Sequence, residues 1–175
     1  MQFVDVIGQD ALSARLRDGV ISGRIAHAQL LEGPKGSGGL ALARAYAQYL
    51  HCADRTKEDS CGVCMSCLAH KKVQHPDLHW TFPFFKKDGA GKSISEPFQI
   101  PWRQLMLDSG YVGLEDWLVK IGADKKQLFI FKKMNSKMTL TQDAIVVAIG
   151  IIKNPTSLKK IILINIFNKT EAKEI

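Results

Sequence analysis

No stretch of eighteen apolar residues occurs in the 175-residue chain, so no helix long enough to cross a membrane is expected. Its opening, MQFVDVIGQD, lacks a basic region followed by an apolar stretch and does not read as a secretory signal. A cytoplasmic protein is the expectation. Acidic residues are in the minority, 17 against 24 Lys and Arg, for a net charge of +7. That balance fits contact with nucleic acid or an acidic partner and identifies neither. The pairs Lys86-Lys87, Lys125-Lys126 and Lys159-Lys160 read first as solvated surface. Cysteine is absent outside positions 52–67. No Ser-His-Asp or Cys-His nucleophile arrangement is supported, because the four thiols suit a metal better. What remains is ordinary for a soluble protein: 46% hydrophobic and 23% charged, enough for one domain with a core.

Asp10 is expected to cap a helix running to about Ser22, with Leu12, Leu16 and Val20 on one stripe and Gly23 at the left-handed stop. The short apolar run Ala28-Gln29-Leu30-Leu31 then ends in Glu32. A glycine-rich loop follows, Gly33, Pro34, Lys35, Gly36, Ser37, Gly38 and Gly39, leading into an Ala/Leu-rich helix from Leu40. Strand, glycine loop, helix is the order of a phosphate-binding loop. Its backbone N–H groups and the helix N-terminus together make an anion site. A working ATP loop also needs a Lys for the outer phosphates and a Ser or Thr for magnesium. Counted from Gly33 and Gly38, those positions hold Gly39 and Leu40. Lys35 and Ser37 lie inside the loop, outside the required places. The frame is therefore read as a degenerate phosphate loop to which ATP is not expected to bind. The plainer reading is a glycine turn that joins a strand to a helix.

Cys61, Cys64 and Cys67 form C-x2-C-x2-C, and Cys52 precedes them by nine residues. In a cytoplasmic chain this spacing favours metal over disulfide. Zinc takes four thiolates in a tetrahedron at about 2.3 Å, a closed site with a structural role. Gly62 eases the turn between the first pair, and residues 53–60 give Cys52 room to fold back. A disulfide pair, or a site in which His51 or His70 replaces a thiolate, remains the alternative.

Order and spacing together carry a resemblance. A helix opening Val6-Ile7-Gly8-Gln9 leads to Arg24-Ile25-Ala26-His27-Ala28, then the GPxGxG loop and its helix, the cysteines, and His75-Pro76-Asp77-Leu78. Over positions 3–79 this resembles the bacterial clamp-loader subunits of DNA polymerase III, members of the AAA+ superfamily. The cysteine steps match that family's zinc module. Of the two subunit types with these landmarks, tau/gamma keeps an intact ATP loop and delta-prime often has a degenerate one. Gly39 and Leu40 therefore point to delta-prime.

Further along, residues 77–82 read as a strand running into Pro83, and residues 84–95 as a flexible loop. Trp80, Phe82, Phe84 and Phe85 are read as core or strand end in preference to a base-stacking surface. Pro101 can start a helix through Leu107, and Leu114, Leu118 and Ile121 suggest another with Trp117 alongside. Residues 83–127 look like a family-variable insertion. Residues 142–153 read as a buried helix, broken at Asn154-Pro155. Lys160-Ile161-Ile162-Leu163-Ile164 reads as a buried strand. In an active AAA+ protein Asp and Glu would follow that strand, for magnesium and for the attacking water; here stand Asn165 and Ile166.

The resemblance implies an α/β fold: an incomplete AAA+ P-loop-type parallel sheet flanked by helices, with the four-cysteine zinc module at 52–67 inserted in it. The family's strand order places a fourth strand between the first and third. This chain offers candidates for the first three, so the first is expected to lack a parallel neighbour. The expectation is a truncated domain over 1–175, without lid or collar and poorly stable alone. The implied function is a non-hydrolysing delta-prime subunit of the clamp loader. Its partners would be tau/gamma and delta subunits, with the sliding clamp and primed DNA reached through the assembly. The alternatives are a tau/gamma-like ATPase with an atypical loop and a zinc-bearing nucleic-acid-binding module.

Overall fold

A computed structural model of the chain describes residues 1–26, 28–34, 36–85, 95–123, 144–153 and 160–168, the last two segments by their backbone. A short 3-10 turn at Phe3–Asp5 precedes helix α1 (Asp10–Ile21) and strand β1 (Ala28–Glu32). Helices α2 (Gly39–His51) and α3 (Met65–Lys71) follow. A second 3-10 turn at Glu96–Phe98 leads into α4 (Gln99–Asp108) and α5 (Leu114–Ile121), and strands β2 (Ala144–Lys153) and β3 (Lys160–Asn168) complete the order.

Helix α2 is the centre of the core. Ala41, Ala45, Ala47 and Tyr49 are completely buried and Leu42, Ala43 and Tyr46 nearly so. Apolar residues around its whole circumference require burial on every side. The helix accordingly touches all three strands, α1, α3 and the first 3-10 turn. Its alanines add no side-chain entropy cost and let neighbours approach closely. At α1 the cap falls one residue earlier than expected: Gln9 is the N-cap and Asp10 the first helical residue. There its carboxylate complements the positive helix end. Gly23 takes a φ of 69°, the left-handed stop.

The second part of the core is aromatic. Phe82 stacks on Trp102 at 4.9 Å between centroids, and Trp117 meets both edge-on at 5.3 and 5.1 Å. Trp117, at the centre of α5, is 1% exposed and donates its indole N–H to the Pro83 carbonyl at 2.7 Å. Phe84 is buried too, and Trp80 and Phe85 pack against the same cluster. These aromatics are core, and α4 and α5 stand where Pro101 and the Leu114 pattern place them. The strand expected over residues 77–82 is not formed: Pro76 and Asp77 make a turn, and only isolated bridges occur, at Trp80 and Phe84. This segment meets its neighbours through aromatic rings and has no extended backbone ladder.

The sheet differs from the expectation in three ways. Its order is β1-β3-β2. Strand β1 pairs in parallel directly with β3, Ala28 opposite Ile162 through Glu32 opposite Ile166. The first strand therefore has the parallel neighbour it was expected to lack. β3 pairs the β1 backbone groups that face it, and β1 is an edge strand of the described sheet. Second, residues 144–153 are a strand and not a buried helix. A continuous apolar run does not separate the two by periodicity, but Ile and Val dominate AIVVAIGIIK and favour a strand. Third, β2 pairs antiparallel to β3, with an irregularity between Ile149 and Ile151 where Gly150 sits. The described sheet is thus mixed and three-stranded, not a parallel AAA+ sheet. His27, Lys35, residues 86–94 of the loop expected over 84–95 and the helix break expected at Asn154-Pro155 lie outside the described residues.

Candidate functional site: a glycine loop and a four-cysteine cluster

The glycine loop joins the end of β1 to the start of α2. Gly36 and Gly38 adopt φ values of 82° and 79°, a region closed to most side chains. Gly38 is also the N-cap of α2, and Leu42 donates to its carbonyl at 2.9 Å. Gly33 is required for a different reason: a Cβ there would sit 2.6 Å from Ser37 Oγ. The Ser37 side chain thus folds back across the loop toward Gly33. Ser37 is itself fixed, its N–H donating to the Pro34 carbonyl at 3.0 Å and its carbonyl accepting from Gln9 Nε2 at 2.9 Å. Gly39 opens α2 without a side chain, and Leu40 is buried in the core at 5% exposure. A leucine held there has no oxygen to offer a cation.

Tyr111 covers the loop from outside. Its ring carbon Cε1 lies 3.1 Å from where a Gly38 Cβ would be, and its hydroxyl accepts from the Ile7 amide at 2.6 Å. No sequence signal marked Tyr111, which comes from the connection between α4 and α5. Asn165 and Ile166, expected on the strand after the loop, occupy register positions beside Leu31 and Glu32. Those two residues lead straight into Gly33. The topology therefore sets Asn165 and Ile166 beside the strand end that enters the loop.

The four cysteines converge. Cys52 caps the end of α2, Cys64 the start of α3, and Cys67 lies in the first turn of α3. Their sulfurs all lie within 4.8 Å of one another, with Cys52–Cys61 at 3.5 Å and Cys61–Cys67 at 4.0 Å. A tetrahedron with metal–sulfur bonds of about 2.3 Å has edges of about 3.8 Å, so these separations fit one zinc ion. They are far too long for a disulfide, whose sulfurs lie about 2.05 Å apart; all four thiols are free. Backbone amides point at the sulfurs: Cys61 N to Cys52 at 3.2 Å, Cys64 N to Cys61 at 3.3 Å, and Cys67 N to Cys64 at 3.5 Å. The Cys67 amide in particular lowers the Cys64 thiol to about 6, while burial pushes Cys52 and Cys67 up. A bound cation would hold all four as thiolates. Gly62 makes the turn inside the cluster at φ 75°.

The loop between Cys52 and Cys61 is tied to the body. Asp59 accepts from the Phe3 and Val4 amides at 3.1 and 2.9 Å. The Tyr49 hydroxyl donates to the Thr56 carbonyl at 2.6 Å, and Gln48 Nε2 donates to Ser60 Oγ at 2.9 Å. The alternative of a histidine replacing a thiolate is not the arrangement found. His51 and His70 face each other, Nδ1 to Nε2 at 2.7 Å, and His75 stacks against both. Burial is the main reason that His51 is lowered to about 4 and His70 to about 2, and it lowers His75 as well. Positions 51, 70 and 75 carry no ligand-like spacing, so the sequence did not show this cluster.

Among curated relatives, the DNA polymerase III subunit gamma/tau of Mycobacterium tuberculosis is 42% identical over 67 residues, covering 38% of this chain and 12% of that protein. The DNA polymerase III subunit tau of Escherichia coli K12 is 37% identical over 76 residues, 43% of this chain and 12% of that protein. Protein STICHEL-like 1 of Arabidopsis thaliana is 36% identical over 93 residues, 53% of this chain and 8% of that protein. The chain thus spans about an eighth, 12%, of the length of the first of these relatives. The family model described as DNA polymerase III, delta subunit, matches residues 8–116, a segment that holds the glycine loop, all four cysteines and α4. With more than half of its length matched, this chain belongs to the family described as DNA polymerase III, delta subunit.

Proposed function

We propose that the chain acts as a non-hydrolysing, delta-prime-type subunit of the DNA polymerase III clamp loader, in the cytoplasm. It would help place the sliding clamp on primed DNA, with tau/gamma and delta subunits as its direct partners. One observation carries the non-hydrolysing part. Gly39 and Leu40 replace the phosphate and magnesium side chains, and Asn165 and Ile166 lie at register positions beside the strand end that feeds the same loop. An ATP site needs both halves, because catalysis of phosphoryl transfer rests on positioned charge. Each missing group removes several kcal/mol of binding or transition-state stabilisation, on the order of 3 kcal/mol. ATP is therefore not a cofactor in this reading. Zinc is: Cys52, Cys61, Cys64 and Cys67 would hold it in a closed, structural module at 52–67. The module sits in an AAA+-like domain that also carries the 83–127 insertion.

A tau/gamma-like ATPase is the second reading, and the names of the curated relatives favour it. It has to bind nucleotide through a loop spanned by Ser37 and covered by Tyr111. Co-expression with tau/gamma and delta subunits tests the assembly. Co-elution of the chain with both, and clamp loading that depends on it, is the expected result. A chain that elutes alone while tau/gamma and delta associate would overturn the clamp-loader role.

A further inference from the structure

We propose that His51, His70 and His75 form a second metal site, distinct from the four-cysteine cluster, that takes a divalent transition-metal ion through imidazole nitrogens. The three rings come from separate places: the last residue of α2, the last turn of α3 and the turn that follows it. Each brings a ring nitrogen to within 4.8 Å of the other two. Ring centroids are 4.1 Å apart for His51–His75, 4.5 Å for His70–His75 and 5.0 Å for His51–His70.

Packing alone does not account for the trio. Three polar rings in a half-buried position cost desolvation that apolar side chains would avoid, unless their nitrogens are matched. They are not all matched. His51 and His70 share one contact at 2.7 Å, and His75 Nδ1 accepts from the Asp77 amide at 3.2 Å. His51 Nε2 is buried and has no hydrogen-bond partner. Either tautomer of His51 leaves that nitrogen with an unmet lone pair or an unmet proton. Coordination by the trio displaces the shared proton and lets each ring choose its tautomer around the ion.

Imidazole suits zinc, copper, nickel and iron. Three histidines leave a fourth position for water, as in exchangeable zinc sites. Metal–nitrogen bonds of about 2.0–2.1 Å set nitrogens about 3.3 Å apart in a tetrahedron, so the 2.7 Å pair opens and the other nitrogens draw in. The nearby Asp77 carboxylate acts on His51 and His75 in favour of a cation, while the Met1 amino group and Arg44 act on His70 in the opposite sense, so the site rests on the convergence of the three nitrogens. The cysteine cluster fixes the ends of the same two helices: His51 adjoins Cys52, and His70 follows Cys67 by one helical turn.

Zinc alone serves as the probe. The full chain is saturated with zinc, exchanged into buffer with a weak zinc buffer, and its metal content counted by elemental mass spectrometry. Two zinc ions per chain are expected. His75→Gln and His70→Gln should each hold one, with the circular dichroism spectrum unchanged. Affinity for the second ion should fall at least tenfold in both variants. One zinc ion in the native chain that His75→Gln retains overturns the site, as do two in His75→Gln; one ion that His75→Gln loses keeps the site and counts against zinc in the cysteine cluster instead. His75 is half-buried, so its variant decides the matter even if His70→Gln fails to fold.

Discussion

Removing metal from the four-cysteine cluster should loosen the N-terminal half of the molecule by a predictable amount. One ion bound to Cys52 and Cys67 closes a loop of fifteen residues, the difference between those positions. Cross-linking a loop of that length restricts the unfolded chain by about 3 kcal/mol in the chain-entropy treatment. That figure is a lower bound. It omits the four metal–thiolate bonds, which in small zinc domains bring the apparent binding free energy to about 10–16 kcal/mol. The loss would reach beyond the loop, because Asp59 holds the Phe3 and Val4 amides and Thr56 holds Tyr49. For a domain of this size, 3 kcal/mol corresponds to a drop in Tm of about 6–12 °C. The assay is a thermal melt followed by circular dichroism, with and without a strong zinc chelator, alongside a zinc determination. Cys64→Ser should reproduce most of the effect, since it removes one ligand from a half-buried position. Protein purified with zinc present that contains none, or a Tm unmoved by chelation, would refute the reasoning.

Trp117→Ala should cost about 3–5 kcal/mol in urea unfolding, because it empties the centre of the Phe82–Trp102–Trp117 cluster and leaves the Pro83 carbonyl without its donor. A cost below about 1 kcal/mol would mean that the cluster does not anchor α5. Without added metal, stability should decline as pH falls below about 6.5. His51 and His70 keep folded values of about 4 and about 2, so between those values and 6.5 the unfolded chain binds more protons. Their stabilising contribution is complete above 6.5 and is lost on acidification. His70→Gln should flatten that slope in pH-dependent unfolding, and an unchanged slope would assign the decline to the thiolates instead.

How much of this was legible in the sequence depended on the kind of signal. Helix α2 was plain, because Ala and Leu without Gly or Pro admit one reading. The cysteine cluster was plain because two-residue gaps already restrict where thiolates can go. Strand β2 is ambiguous in sequence because AIVVAIGIIK is apolar up to Lys153 and lacks the alternation that separates a strand from a buried helix. The pairing of β1 with β3 was missed because the strand order of a family was carried over whole, while backbone groups pair with whichever strand is present. Residues 77–82 read as a strand running into Pro83, yet they form no strand, and the aromatic rings serve the core as expected. Tyr111 and the histidine trio were invisible for a simpler reason: their partners are brought together only by the fold. Tyr111 reaches Ile7 and Gly38 across the chain, and His75 meets His51 past the turn at Lys72 and Val73 that ends α3.

The non-hydrolysing reading meets its most direct test in a titration of the full chain with ATP and magnesium, followed by calorimetry and by phosphate release. The account predicts no binding in the micromolar range and no turnover, since Gly39, Leu40, Asn165 and Ile166 supply none of the required charge. Affinity on the order of micromolar, about −8 kcal/mol, together with magnesium-dependent phosphate release, would contradict it and restore the ATPase reading.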